Sequence, residues 1–297
     1  MPIAMSATSS SIPSLVLPQV VAEESAPSQP AERRRIPPWI SARFSGWRGL
    51  LLPAAILIGW ELTARFSGIN PAIMPSLGKV WASFVELLLN GELWLNLSAT
   101  ITRLLIGFAI ASVLGLVVGI LCALSRVVSA VIGGPLAAIR QVPLFGWIPL
   151  IAVLAGIGES SKIVFIVLAA FYPIALNTTQ GLKNAPAELV EVGRVFGFSR
   201  WLLLRRVLLP NAVPAILTGI KHGLTFAAIA TVGAEVFMTA APGLGNLLDY
   251  GQSNMRTDLV LVGVTFIGLL GFALNALVTL VERRLLSWRT SGRSETP

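Results

Sequence analysis

The chain is poor in the residues that build catalytic and metal centres. Among 297 residues there is one cysteine, Cys122, and one histidine, His222. A lone thiol excludes an intramolecular disulfide, and one cysteine with one histidine cannot assemble a zinc site or a histidine-based triad. Charged residues make up only 12% of the chain, where soluble globular domains carry about 25%. The phosphate-binding pattern Gly-x4-Gly-Lys-Ser/Thr is missing. The stretch from Gly156 to Lys162 has a similar look but lacks the glycine before the lysine. Nothing in the sequence therefore offers to hydrolyse a nucleotide.

What is there is apolar: 55% of residues are hydrophobic, and the mean hydropathy is +0.79. Lipid as the solvent for much of the surface is the simplest explanation. A helix needs about 20 apolar residues to cross the hydrocarbon. Candidate spans fall at about 49–66, 104–124, 127–157, 163–176, 212–240 and 259–281. The third is too long and too broken by proline and glycine for one simple helix. Between the first two, residues 70–98 mix Trp81 and Trp94 with Lys79, Glu86 and Glu92, as an amphipathic segment at the membrane surface does. The expected fold is an all-α integral membrane protein with about six transmembrane helices. Residues 1–45, rich in Ser, Pro and Ala, read as a disordered cytoplasmic tail. Residues 46–290 then form the membrane domain and 291–297 a second short tail.

The net charge of +8 would raise nucleic acid as a partner for a soluble chain. Here the basic residues lie between and beyond the apolar runs, so they report orientation instead. With the N-terminus inside, fifteen of the 22 lysines and arginines fall in cytoplasmic regions, five outside, and two, Arg140 and Lys221, within spans. This bias predicts six crossings with both termini cytoplasmic.

The cytoplasmic segment 180–210 is patterned. Asn184 with Pro186 suits a helix start. Glu188, Leu189, Glu191, Val192 and Val195 follow at helical spacing, and Gly197 suits a helix end. Ser199 can cap a second, basic helix that Pro210 would stop. By pattern alone this elbow is either an interfacial helix that pins the loop to lipid or a docking element for a cytoplasmic partner.

The order Glu191-Val192-Gly193, three residues, Gly197, nine residues, Val207-x-Leu209-Pro210 resembles the signature loop of the permeases of importer-type ABC transporters. That pattern is Glu-Ala-Ala, three residues, Gly, nine residues, Ile-x-Leu-Pro; here Val192, Gly193 and Val207 depart from it. The resemblance runs from about residue 55 to 288. Arg140 to Pro143 with Trp147 to Leu150, Gly156 to Lys162, and Gly233 to Glu235 with Gly243 to Gly245 look like the aliphatic sulfonate, taurine and nitrate branch.

The resemblance implies an importer permease fold whose coupling helix, between helices four and five, seats on an ATPase. It implies that Glu188, Glu191, Val192, Gly193, Gly197, Leu209 and Pro210 form the coupling element, with Gly193 and Gly197 allowing close approach to the partner. It also implies a second copy of the chain, two cytoplasmic ATPase subunits and a periplasmic or lipid-anchored solute-binding protein. The location is the bacterial inner membrane. No cofactor would be bound by this chain, ATP being used by the partner. The substrate expected is a small anion, aliphatic sulfonate first, with taurine, nitrate or bicarbonate, or a vitamin precursor as alternatives.

Charge and broken backbone inside the membrane mark candidates for the path. Arg140 is followed by Pro143 and Pro149; irregular backbone at membrane depth is tolerated where it is buried or lines a water-filled cavity. Arg140 either lines the path, where its charge suits an anion, or serves structure at an interface or in an ion pair. Lys221 reads as a snorkelling or a substrate residue, His222 as a packed polar residue, and Glu235 as a further candidate for the path that can also partner a basic group across the bundle. Gly115 and Gly119 form a small-xxx-small pair that marks close helix packing. A secondary carrier would leave the elbow unexplained, and a membrane enzyme would need clustered catalytic groups that the spans lack.

Overall fold

A computed structural model describes residues 48–238 and 241–285; the tails expected at 1–45 and 291–297 lie outside them. The chain divides within its first helix. Residues 48–54 are the described part of the first unit, and the second unit begins at Ala55. All secondary structure among the described residues is helical.

Helix α1 (Arg48–Phe66) coincides with the first expected span. The indole Nε1 of Trp60 donates to the Pro75 carbonyl at 3.0 Å, and Glu61 accepts the Leu77 N–H at 2.7 Å. These bonds fix the approach to α2 (Leu77–Leu89), which Ser76 caps by accepting the Lys79 N–H. Trp81 and Trp94 are exposed, in keeping with an interfacial stretch.

Helix α3 (Glu92–Leu124) is 33 residues long and starts well before the expected position at 104. Hydropathy counts Arg103 against a span. The fold satisfies that charge internally, so the helix continues through it. Helix α4 (Arg126–Gln141) and helix α5 (Ile148–Ala155), preceded by a 3-10 turn (Leu144–Trp147), meet at a bend of 104°. The break comes at Val142-Pro143, where both residues are extended, as the missing proline N–H and its ring demand. The third expected span is thus two helices.

Helix α6 (Glu159–Lys183) is the centre of the bundle and packs along α3 on one side and α9 on the other. Phe165, Ile166, Ala170 and Ile174 are fully buried within it. In lipid, apolar surface gives helices little reason to associate, so dispersion between closely fitted backbones must do it. The glycines supply that fit. A Cβ on Gly115 would lie 2.9 Å from Ile174 Cβ, and one on Gly119 would lie 2.6 Å from Thr178 Cβ. Gly223 of α9 meets the other side of Ile174, with only 2.7 Å for a Cβ.

After α6 come α7 (Ala187–Val195), α8 (Arg200–Leu203), a π turn (Leu204–Leu208) and α9 (Leu209–Phe237). The last three form one continuous run, Arg200–Phe237. Pro210 therefore does not end the second elbow helix. It sits inside that run, at the start of α9 directly after the π turn, whose wider bonding, with the Leu209 N–H on the Leu204 carbonyl, makes room for it. Helices α10 (Leu244–Ser253) and α11 (Thr257–Leu285) complete the chain. Among the described residues, α3, α6, the Arg200–Phe237 run and α11 are long and apolar enough to cross a membrane, and the bent α4–α5 pair makes a fifth if counted as one span.

Candidate functional site

The elbow between α6 and α9 is a compact helical corner. Asn184 closes α6 instead of opening α7; Pro186 stands at the start of α7 with extended backbone and no side-chain cap. Gly197 takes φ +71°, the left-handed geometry that ends a helix. The chain reverses there, with Phe198 N–H bonded to the Gly193 carbonyl and Gly197 N–H to the Arg194 carbonyl. Ser199 accepts the Leu202 N–H and starts α8.

Gly193 differs from the sequence expectation of close approach to a partner. It is buried, and a Cβ there would meet Leu203 Cδ1 at 2.8 Å. Its missing side chain lets α7 lie against α8 within the elbow. Gly197 has open space where its Cβ would stand, so its need is conformational. Glu188, Glu191 and Val192 are exposed, Leu209 is half-buried and Pro210 exposed. The outer face of α7 and its C-cap is apolar and uncovered: Leu189, Val192, Val195 and the capping Phe196 all stand at least half exposed. A groove of about 410 Å³ opens beside it, lined by Val192, Gly193, Phe196, Phe198, Arg206 and Val207 among others.

The proposed path residues are dispersed. Arg140 lies in the last turn of α4, exposed, with its guanidinium 5.5 Å from the centre of the Tyr172 ring. Pro143 and Pro149 flank the bend and open α5. Lys221, on α9, lies 3.6 Å from Glu282 on α11. It also borders an apolar cleft of about 1120 Å³ between α9, α10 and α11, where Asp249 is the other charged residue. His222 is exposed, not packed.

Glu235 is wholly buried and does find a basic partner. Arg103 Nη1 donates to its Oε1 at 2.7 Å and to the Pro242 carbonyl. The same guanidinium grips Glu159 with Nε and Nη2 at 2.5 and 2.9 Å, a two-pronged pairing. Lys162, fully buried, lies 3.4 Å from Glu159 Oε1. Thr100 donates to Glu235 and accepts the Leu244 N–H, while Glu235 Oε2 accepts the Gly245 N–H. Hydropathy leaves Arg103 and Lys162 just outside the spans expected from 104 and 163, which hides this cluster. A signal was present: opposite charges at Arg103, at the edge of an apolar run, and Glu235, inside one, with a further opposite pair at Glu159 and Lys162.

A second charged group joins α2 to α11. Ser83 donates to the buried Asp258 at 2.6 Å, Arg256 pairs with Asp258 at 2.8 Å, and Lys79 lies at 3.6 Å. The hydrogen bond to Asp258 holds the Arg256 guanidinium above its ordinary pKa.

With this geometry in view, the relatives of the chain are informative. It is 35% identical over 247 residues to an aliphatic sulfonates transport permease protein, SsuC, of Bacillus subtilis, covering 83% of this chain and 89% of that one. It is 32% identical over 240 residues to the taurine transport system permease protein TauC of Escherichia coli, covering 79% and 87%. It is 34% identical to the riboflavin transport system permease protein RibX of Chloroflexus aurantiacus over 250 residues, covering 82% and 92%. In fold it is similar to a chain of the inward-facing MetNI methionine ABC transporter, with a TM-score of 0.56 and 22% identity over 65% of this chain and 96% of that one. A second solved structure, of an amino acid ABC transporter, matches with a TM-score of 0.56 at 18% identity over 68% of this chain and 97% of that one. The family model for the inner membrane component of binding-protein-dependent transport systems matches residues 115–287, from the last third of α3 through α11. The chain is thus a multi-pass membrane protein, and it belongs to the family of binding-protein-dependent transport system inner membrane components.

Proposed function

We propose that this chain is the permease subunit of an ATP-driven importer for a small anion, aliphatic sulfonate in the first place. The observation that carries the reading is the uncovered apolar face of α7, held on a rigid corner between two membrane helices. Leu189, Val192 and Val195 stand exposed on a nine-residue helix, with Phe196 exposed at its C-cap, and Gly193 packs that helix tightly onto α8. Such a face is a docking surface for another protein, and a helix transmits displacement where a loose loop would absorb it. The occupant is a separate cytoplasmic ATPase, with Glu188 and Glu191 at the rim available to its basic residues. Two ATPases, two copies of this chain and an outer solute-binding protein make the assembly, with both termini of the chain cytoplasmic.

The substrate class draws on the sulfonate and taurine permeases among the relatives. Arg140, Pro143, Pro149 and Lys221 line the route, and the exposed guanidinium of Arg140 offers a fixed positive charge. Selection among anions is left to the binding protein, and ATP is consumed by the partner.

The test is uptake in cells carrying Glu191→Lys or Gly197→Glu. Uptake of labelled ethanesulfonate should vanish while the protein stays in the membrane at its normal level, and the ATPase should no longer co-purify. Full co-purification with either variant would remove the docking role. Uptake that persists after deletion of the ATPase gene would remove the ATP-driven reading.

A further inference from the structure

Two sequence stretches, Gly156 to Lys162 and Gly233 to Glu235 with Gly243 to Gly245, are not used by the elbow or by the route above. They meet in one place. Arg103 joins Glu159 of the first to Glu235 of the second, at the end of α6 and α9 opposite the elbow. From Lys162 to Lys183 α6 runs about 30 Å at 1.5 Å per residue, so the cluster and the elbow lie a membrane thickness apart.

The cluster fastens a piece of backbone. Four successive residues, Pro242 and Gly243 of the α9–α10 connection and Leu244 and Gly245 at the start of α10, are bound by side chains of α3 and α9. Arg103 takes the Pro242 carbonyl, Asn96 the Gly243 N–H, Thr100 the Leu244 N–H and Glu235 the Gly245 N–H. The Glu235 carboxylate thereby meets the N-terminus of α10, where a negative charge is favoured. A Cβ on Gly243 or Gly245 would strike Glu235 at 2.5–2.6 Å, so the fit admits only glycine.

The members differ in a way that a permanent pin does not require. Glu235 and Lys162 have no exposure, whereas the Glu159 side chain is 52% exposed. Glu159 is also the first residue of its helix and follows Gly156, which has φ +79°. Two cations and two carboxylates allow more than one pairing. Glu159 can pass from Arg103 to Lys162 without stranding a charge, and a stranded buried charge is what makes such clusters costly to open. Discrete alternative pairings are the physical basis of a two-state element.

We propose that Arg103, Glu159, Lys162 and Glu235 form a charge latch that fastens the α9–α10 connection to α3 and α6, with Glu159 as its releasable member. Its use in the transport cycle rests on the function proposed above; the latch itself does not, because it is read without transport. Leu244, wholly buried under the latch, reports on it, and Cys122, buried near the far end of α3, reports on the bundle as a whole.

The experiment is maleimide alkylation of Leu244→Cys in the full-length protein in membrane vesicles, with the modified cysteine identified by mass spectrometry. Adding Glu159→Gln should speed labelling at position 244 about tenfold, the factor that corresponds to about 1.4 kcal/mol of fastening, with Cys122 unchanged. Thr100→Val should act the same way, and Thr100→Ser should restore the slow rate. Unchanged labelling at position 244 in both Glu159→Gln and Thr100→Val overturns the proposal. So does a parallel rise at Cys122, which would mean that these groups support the whole bundle.

Discussion

Arg103 of α3 and Glu235 of α9 stand 132 positions apart in sequence and are joined by a 2.7 Å ion pair whose carboxylate has no exposure. A charge at such depth is tolerated only with its partner in place, and that asymmetry leads to the first prediction. Arg103→Met alone leaves Glu235 buried and uncompensated and should destabilise the protein by about 3–5 kcal/mol. Arg103→Met combined with Glu235→Met removes both charges and should recover most of that loss. Thermal unfolding of the detergent-solubilised variants checks this; equal losses in the single and double variants would contradict it.

Packing between α3 and α6 should respond to volume at Gly119. Gly119→Leu forces a side chain into Thr178 and the Ala175 carbonyl, which stands 2.8 Å from any Cβ. A cost of about 1–3 kcal/mol is expected from overpacking. Gly133→Ala on α4, where a Cβ has nothing within 4 Å in this chain, should leave thermal stability of the isolated chain unchanged.

The two elbow glycines should fail differently. Gly197→Ala places a Cβ on left-handed backbone, at a cost of about 1–2 kcal/mol, and should loosen the turn between α7 and α8. Gly193→Val keeps the turn but drives the helices apart at Leu203. Hydrogen exchange separates the two. The first variant should lose protection at positions 197 and 198, whose N–H groups close the turn. The second should lose it along α7.

Arg140 should matter to cargo and not to docking. Arg140→Ala is expected to lower ethanesulfonate uptake at least about tenfold, as loss of a charge-assisted contact of about 1.5–3 kcal/mol would. Co-purification of the ATPase should stay at its usual level. Unchanged uptake would take Arg140 off the route.

Sequence alone carried the fold class and the elbow, because both are written in local terms. Lipid demands long apolar runs, which composition and periodicity reveal. A left-handed helix end demands glycine, and Gly197 stands where it is needed. A serine cap needs only its own next turn, and Ser199 caps α8. The break near Val142-Pro143 was likewise legible, because Pro143, Gly146 and Pro149 crowd into one stretch, whereas the lone prolines Pro135, Pro173 and Pro214 stay inside their helices.

Helix lengths and the charge cluster were not legible, for one reason. Hydropathy treats each charge as if it faced lipid, so Arg103 and Lys162 each fell just before the start of an expected span. Their true environment is the carboxylates of Glu159 and Glu235, brought together from α6 and α9 by packing that depends on glycines distant in sequence. Gly193 shows the same limit at short range: a residue that suggested contact with a partner instead fits Leu203 of its own chain. The sequence by itself determined that the chain lives in lipid and turns a helical corner between two spans, since each follows from the chemistry of neighbouring residues. Only the tertiary structure decided which buried charges meet, because pairing in a low-dielectric interior depends on distances that no local pattern encodes.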